Sequence, residues 1–568
     1  MPELQERMRE RLEFVYGQKA PGIMQRALQL IESYEGDIPE GRGGWDQRDA
    51  MLITYADTVV EPDREPLNTL DDFLRRRVDD AISMVHLLPF FPYSSDDGFA
   101  VQDFRDVRDE LGDWQDVERL AEDFRVAFDA VINHVSASSV YMKEYLAGEP
   151  PYDEFFIELD PTADTSSVLR TRDEPLLHDY ESADGTKWLW TTFSRDQVDL
   201  NFRDPRVLLE VLDVLLFYVQ HGASVLRLDA IPYLWKELGT SCAHLPETHA
   251  LIKFFRDALD LAAPHVLLLA ECNVPQPKNF AYLGDGGDEA QIVYNFTLPP
   301  LIVFSLLRGD ATYLTEWAKT IPDPGERATY LNITATHDGI GMRPTEGLLT
   351  EDERRELMDL AFSRDGDVTG KRNSDGSISP YELNISYFDA INDPHSDTPL
   401  DLEIRRFMLS QAIAMSLKGI PAIYIHSLLG SRNYLEGVRQ TGRARSINRE
   451  QLALDDLADA LDQTDSRRSR VFRRYCEMLR VRRGEKAFHP DAHQEILELG
   501  PHLFSVRRTN EETGDSVLAL HNVTNEAQMI DLSGITAGNT RDLLTDATFQ
   551  GKTIELAPAQ VMWLKENL

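Results

Sequence analysis

The chain has 568 residues with 97 acidic and 58 basic side chains, a net charge of −39 at pH 7. That excess argues against broad contact with DNA or RNA, whose phosphates it repels, and any anionic substrate must meet a local cluster of Arg, His or Lys. At 42% hydrophobic and 27% charged, over a length several times a typical domain of roughly 100–150 residues, global disorder and collagen-like repetition are excluded; one large domain with appendages, or several domains, is expected.

The first residues, MPELQERMRERLEFVYG, thread charges through the segment and lack the apolar core of a signal peptide. No run of about 18 apolar residues follows that could span a membrane. Three cysteines, Cys242, Cys272 and Cys476, are too few for a disulfide framework and read as reduced thiols of a cytoplasmic protein. The acidic surface fits either a well-solvated exterior or a host with a salty cytoplasm.

Residues 1–48 scan as a helical extension, with Leu12, Val15, Met24, Ala27, Leu28 and Ile31 on one face. A β/α rhythm follows. Apolar runs recur at Met51–Tyr55, Ile82–Pro89, Ala127–Ile132, Ala223–Leu228, Val266–Ala270, Ile292–Phe296, Tyr330–Thr334 and Ile420–Ile425, with helical stretches such as Arg206–His221 and Glu247–Ala262 between them. Eight near-continuous apolar strands alternating with helices point to a closed (β/α)8 barrel, an α/β fold. A doubly wound open sheet is the alternative, but no G-x-G-x-x-G follows the first strand.

The barrel is predicted over 49–484, with polar insertions at about 135–205 and about 300–395. The second insertion contains TGKRNSDGSISP (369–380), whose Gly, Ser and Asn content predicts a loop. Long insertions in a compact domain are commonly lids or substrate loops. Residues 485–568 change texture to short alternating strands, HLFSVRR, SVLALHNV, AQMIDL, KTIELA and VMWLK, which predict a small antiparallel β domain.

In such a barrel the active site lies where the strands end. Those ends read Asp57, Pro89-Phe90-Phe91, Asn133-His134, Arg227-Leu228-Asp229, Glu271 and His337-Asp338. Each alone is ordinarily a capping or loop residue; as a set at successive strand ends they are a candidate site. Asp229 beside Arg227 suits an ionised nucleophile. Glu271, ending the apolar run 266–270, suits a protonated general acid. Two carboxyls of opposite protonation state are the pattern of retaining glycoside chemistry, at a separation of about 5–5.5 Å. Asp338 could grip sugar hydroxyls. Metal chemistry is the competing use of such residues, but no H-E-x-x-H, C-x-x-C or EF-hand spacing occurs, so no metal or other cofactor is expected.

DAVINH (129–134), VLRLDA (225–230), LLLAE (267–271) and NITATHDG (332–339) resemble the four motif regions of the α-amylase superfamily, glycoside hydrolase family 13. Around them MVHLLPFFPYSSDDGF (84–99), LDAIPYLWKELGTSC (228–242), VYNFTLPPL (293–301), THDGIGMRP (336–344) and GRARSINR (442–449) resemble the sucrose phosphorylase subfamily. The resemblance implies that Asp229 is the nucleophile, Glu271 the acid/base and Asp338 the transition-state stabiliser. It places Arg227, His134 and His337 around a glucosyl unit, Asp96 and Arg445 on its distal hydroxyls, and Phe99 and Phe193 beside it. Arg172 in the inserted loop and Tyr381 would receive inorganic phosphate as co-substrate. The partners implied are a small α-glucoside and phosphate, and the chain could form a homodimer.

The implied reaction is phosphorolysis of an α-glucoside to α-D-glucose 1-phosphate with retention. An α-glucosidase or transglucosidase of the same superfamily, or a non-catalytic carbohydrate-binding scaffold, are the other readings. At the acceptor end, Glu382 follows Tyr381 where sucrose phosphorylases carry glutamine, and HSLLGSRN (426–433) also departs from the sucrose pattern. Both features resemble the subfamily's glucosylglycerol and glucosylglycerate phosphorylases. A carboxylate at 382 should welcome glycerol hydroxyls and disfavour the charge of glycerate, so glycerol is the expected acceptor, with fructose and glycerate as alternatives; otherwise Glu382 simply points into solvent.

Overall fold

The computed structural model describes residues 2–566 apart from 79, 171, 173, 373–376 and 537. Eight parallel strands close into a barrel: β1 (Met51–Thr54), β2 (Met84–Leu87), β3 (Arg125–Ala130), β4 (Ala223–Leu228), β5 (Leu267–Ala270), β6 (Ile292–Tyr294), β7 (Thr329–Ile333) and β8 (Ile420–Tyr424). Each pairs with its neighbours in sequence and β8 returns to β1. All eight predicted runs fall on these strands. Nearly every barrel residue is buried, because strands packed inside by one another and outside by helices have no polar face to show.

The helix Pro205–Gln220 shows how sequence sets these units. The Asp204 carboxylate accepts from the Arg206 amide, Pro205 pre-sets the first turn, and the face bearing Leu208, Leu212, Leu215 and Val219 is buried. Gly222, at φ +94°, then turns the chain into β4; a Cβ there would sit 2.9 Å from the Ala121 side chain.

The N-terminal helices are Pro2–Tyr16 and Ala20–Ser33, so the helical extension predicted to reach residue 48 stops earlier. Residues 36–44, GDIPEGRGG, hold four glycines and a proline and cannot sustain a helix. Arg7 reaches Asp257 on the helix Pro246–Ala262, and the Tyr16 hydroxyl donates to the Phe202 carbonyl.

The first insertion carries the hairpin Leu177–Ser182 with Gly185–Trp190 and the pair His134–Ser136 with Gln197–Asp199. In the second, the predicted loop is instead largely strand: Asp367–Arg372 pairs with Ile378–Asn384, which pairs in turn with Ile340–Gly341. The tip of TGKRNSDGSISP, 373–376, lies outside the described residues. Backbone pairing to 340–341 supplies what the polar side chains do not advertise. In the C-terminal region the five predicted runs are strands, joined by His493–Leu497, Thr540–Asp542 and Thr548–Phe549, which are too short or too polar to stand out.

Candidate active site

Register brings the two central carboxylates together. Leu228 of β4 pairs with Ala270 of β5, so the next residues, Asp229 and Glu271, leave adjacent strands at the same level of the rim. The Glu271 amide donates to the Leu228 carbonyl (3.1 Å), and the Asp229 amide to that of Ala130 (3.1 Å). Ala230 then takes φ +51°, a left-handed turn that costs an alanine strain, and its amide lies 3.4 Å from Glu271 Oε2.

Arg227 lies beneath this pair, its guanidinium donating to Asp229 Oδ1 (2.9 Å) and to Asp129. Asp129 is fully buried and also faces His86 Nε2 (2.8 Å). Burial alone would raise the Asp129 carboxyl, but Arg227 and His86 hold it below the usual range. Burial pushes Glu271 up to about 7, Asp229 and Asp338 adding to the rise against the pull of Arg227. Asp229 is raised by burial too, with Arg227 and His134 opposing it. The ion pair with Arg227 belongs to Asp229, so the proton of the two carboxyls resides on Glu271.

Asp338 follows β7 and faces two arginines, Arg445 Nη1 at 2.7 Å and Arg449 Nη2 at 3.5 Å, with His337 Nε2 also at 3.5 Å. Burial would raise it, but Arg445, His337 and Arg449 outweigh that and keep it ionised well below the carboxylate range. His337 is itself taken down to about 3 by burial, so the ring is neutral, and it stacks on Phe99 at 5.0 Å between centroids.

These groups open on one pocket of about 610 Å3, counting its mouth. Asp96, Phe99, His134, Phe193, Asp229, Glu271, His337, Asp338, Arg445, Tyr381 and Arg172 all line it. The Arg172 guanidinium lies over the rings of Phe193 (5.8 Å) and Tyr381 (5.1 Å). His134 Nε2 is held by the Phe99 carbonyl (2.9 Å) and Gln197 (3.2 Å), and Gln197 also donates to Asp96 (3.1 Å).

Two predicted residues and one predicted segment sit elsewhere than expected. Asp57 lies off the pocket, hydrogen-bonded by Gln451 and facing Arg108 at 3.7 Å. Glu382 is 1% exposed and neither lines the pocket nor points into solvent: Arg445 donates Nε to Oε1 (2.7 Å) and Nη2 to Oε2 (2.9 Å). Buried and off the pocket lining, this carboxylate is not placed to receive glycerol hydroxyls. The segment 426–433 is also absent from the lining, and its Arg432 pairs with Asp389 and Glu403. Sequence reasoning in turn missed Gln197, Tyr233, Asn273 and Arg343, all of which line the pocket. Arg343 lay within the motif 336–344 and could have been found as its one cation; Gln197 carries no sequence signal.

Residues 80–332 match the family description "Alpha amylase, catalytic domain". A glucosylglycerate phosphorylase of Spirochaeta thermophila is 46% identical over 531 residues, 92% of this chain and 90% of that one. The chain belongs to the α-amylase family. Within it, the relatives are glycoside phosphorylases, and so is this enzyme by class. A glucosylglycerol phosphorylase of Marinobacter adhaerens is 28% identical over 463 residues, 77% of this chain and 88% of that one. The fold matches the crystal structure of sucrose 6F-phosphate phosphorylase from Thermoanaerobacter thermosaccharolyticum at a TM-score of 0.74 and 22% identity, over 92% of this chain and 99% of that one. No helix among the described residues is long and apolar enough to cross a membrane.

Proposed function

We propose that the protein is a retaining glucosylglycerate phosphorylase: 2-O-α-D-glucosylglycerate and phosphate give α-D-glucose 1-phosphate and glycerate. The Asp229 carboxylate attacks the anomeric carbon while Glu271 gives its proton to the glycosidic oxygen, releasing glycerate and leaving a β-glucosyl ester on Asp229. A phosphate oxygen then attacks that carbon, Glu271 takes the phosphate proton, and the ester bond breaks with net retention. Adjacent strands lie about 4.8 Å apart, the scale a retaining carboxyl pair requires. Asp338, ionised throughout, stabilises charge developing on the ring.

The 46% identity to a glucosylglycerate phosphorylase across 92% of the chain carries the choice of acceptor. It replaces glycerol, whose case rested on Glu382. Arg172 over Phe193 and Tyr381 supports phosphate as the second substrate, since a planar guanidinium is suited to a phosphate dianion. The three cysteines are free and buried, which fits work in a reducing cytoplasm.

Incubation with phosphate and glucosylglycerate, glucosylglycerol or sucrose tests this. Glucose 1-phosphate formed fastest from glucosylglycerate is the expected result. Free glucose alone, at a rate independent of phosphate, would identify a hydrolase instead.

A further inference from the structure

The acceptor end of the pocket holds a cation that the double displacement does not use. Arg343 opens a short turn, Arg343–Thr345, five residues after Asp338, and is 6% exposed while lining the pocket with Tyr233, Cys272 and Tyr381. The strand pairing of Ile340 with Leu383 and Gly341 with Glu382, and the Met342 amide on the Tyr381 carbonyl (2.8 Å), fix the segment that carries it.

Arg343 has no carboxylate within 4.0 Å among the described residues, and its Nε is buried with no hydrogen-bond partner. The nearby acid, Glu346, is already shared by Lys371 (3.4 Å) and Arg354 (4.0 Å). Its other neighbours are the phenols of Tyr233 and Tyr381 and the Cys272 thiol, with Lys278 and His244 close by; none supplies a negative charge at neutral pH. A buried guanidinium whose nearest acid is shared with two other cations gains from a ligand that brings a negative charge of its own. In a protein of net charge −39, a buried arginine lining the same pocket as Arg172 marks where an anion sits.

We propose that Arg343 binds the carboxylate of a short hydroxy-acid acceptor and selects it over the uncharged polyol. This rests on the glucosylglycerate reading above and names the residue that makes the choice. Arg172 remains the residue for phosphate.

The test runs in the synthetic direction, from glucose 1-phosphate with D-glycerate or glycerol, so that a phosphate role cancels from the ratio of the two kcat/KM values. Arg343→Gln should lower the glycerate-to-glycerol ratio by about 100-fold, and Arg343→Lys, which keeps charge but loses the fork, by about 10-fold. Loss of fold alone would depress both acceptors together and leave the ratio in place, and the lysine variant gives a second reading should the glutamine variant be insoluble. A ratio within roughly threefold of wild type in both variants overturns the assignment while the glucosylglycerate reading stands. A wild-type enzyme that makes no product from glycerate overturns both.

Discussion

Arg445 grips Glu382 with two parallel hydrogen bonds and Asp338 with a third nitrogen, so one guanidinium joins the insertion to the catalytic rim. The consequence for Glu382 is a bracing role. Removing one partner of a buried pair leaves the other uncompensated, so Glu382→Ala should destabilise the protein by about 3 kcal/mol and lower kcat by releasing Arg445 from its place beside Asp338. Thermal unfolding and acceptor kinetics read the two effects. The ratio of glycerate to glycerol use should hardly move; a large swing toward either acceptor would restore Glu382 to the acceptor site.

Asp229 is the carboxylate whose loss should be gravest. Asp229→Asn keeps shape and the Arg227 contact but removes the attacking charge, and kcat should fall by at least about 10³-fold. Mass spectrometry should find a glucosyl adduct on slow variants of Glu271 and none on Asp229→Asn. Near-normal turnover in the asparagine variant would remove Asp229 from the nucleophile's role.

The barrel was legible in the sequence because strands buried on both sides must be almost wholly apolar, and the polar residues ending those runs marked the rim. The insertions were not. Strand 367–372 with 378–384 is held by backbone bonds to Ile340–Gly341, and nothing in TGKRNSDGSISP alternates cleanly enough to show it. The Arg445–Glu382 pair spans 63 residues of chain, beyond any local pattern, which is why a buried, arginine-paired carboxylate could pass for an acceptor contact. The hairpin Leu177–Ser182 with Gly185–Trp190 turns on Ala183-Asp184, with Gly185 already paired to Ser182, so the Asp-Gly step falls one residue past the loop.

Arg172 should separate phosphorolysis from hydrolysis. Its guanidinium is seated over Phe193 and Tyr381 on the pocket lining. Arg172→Ala should raise KM for phosphate and cut phosphorolysis by about 100-fold, with a smaller loss of hydrolysis, because water needs no counter-charge. Equal losses in both reactions would show that the residue only shapes the loop.

The pH profile follows from the raised Glu271 carboxyl. An acid at about 7 is protonated below that pH and ionised above it, so kcat/KM for a glucoside with a poor leaving group should fall as pH rises through about 7. A donor that needs no protonation, α-D-glucosyl fluoride, should lose that descending limb in the glucosylation step. Stability carries the same sign for this group: between the unfolded value, 4.5, and about 7 the folded state binds the extra proton, so Glu271 makes the protein less stable as pH rises across that window. Asp338 runs the other way, its stabilisation present at neutral pH and lost only in acid below the ordinary carboxylate range. If both donors show the same alkaline limb, the proton is not delivered by Glu271 in the step that breaks the glycosidic bond.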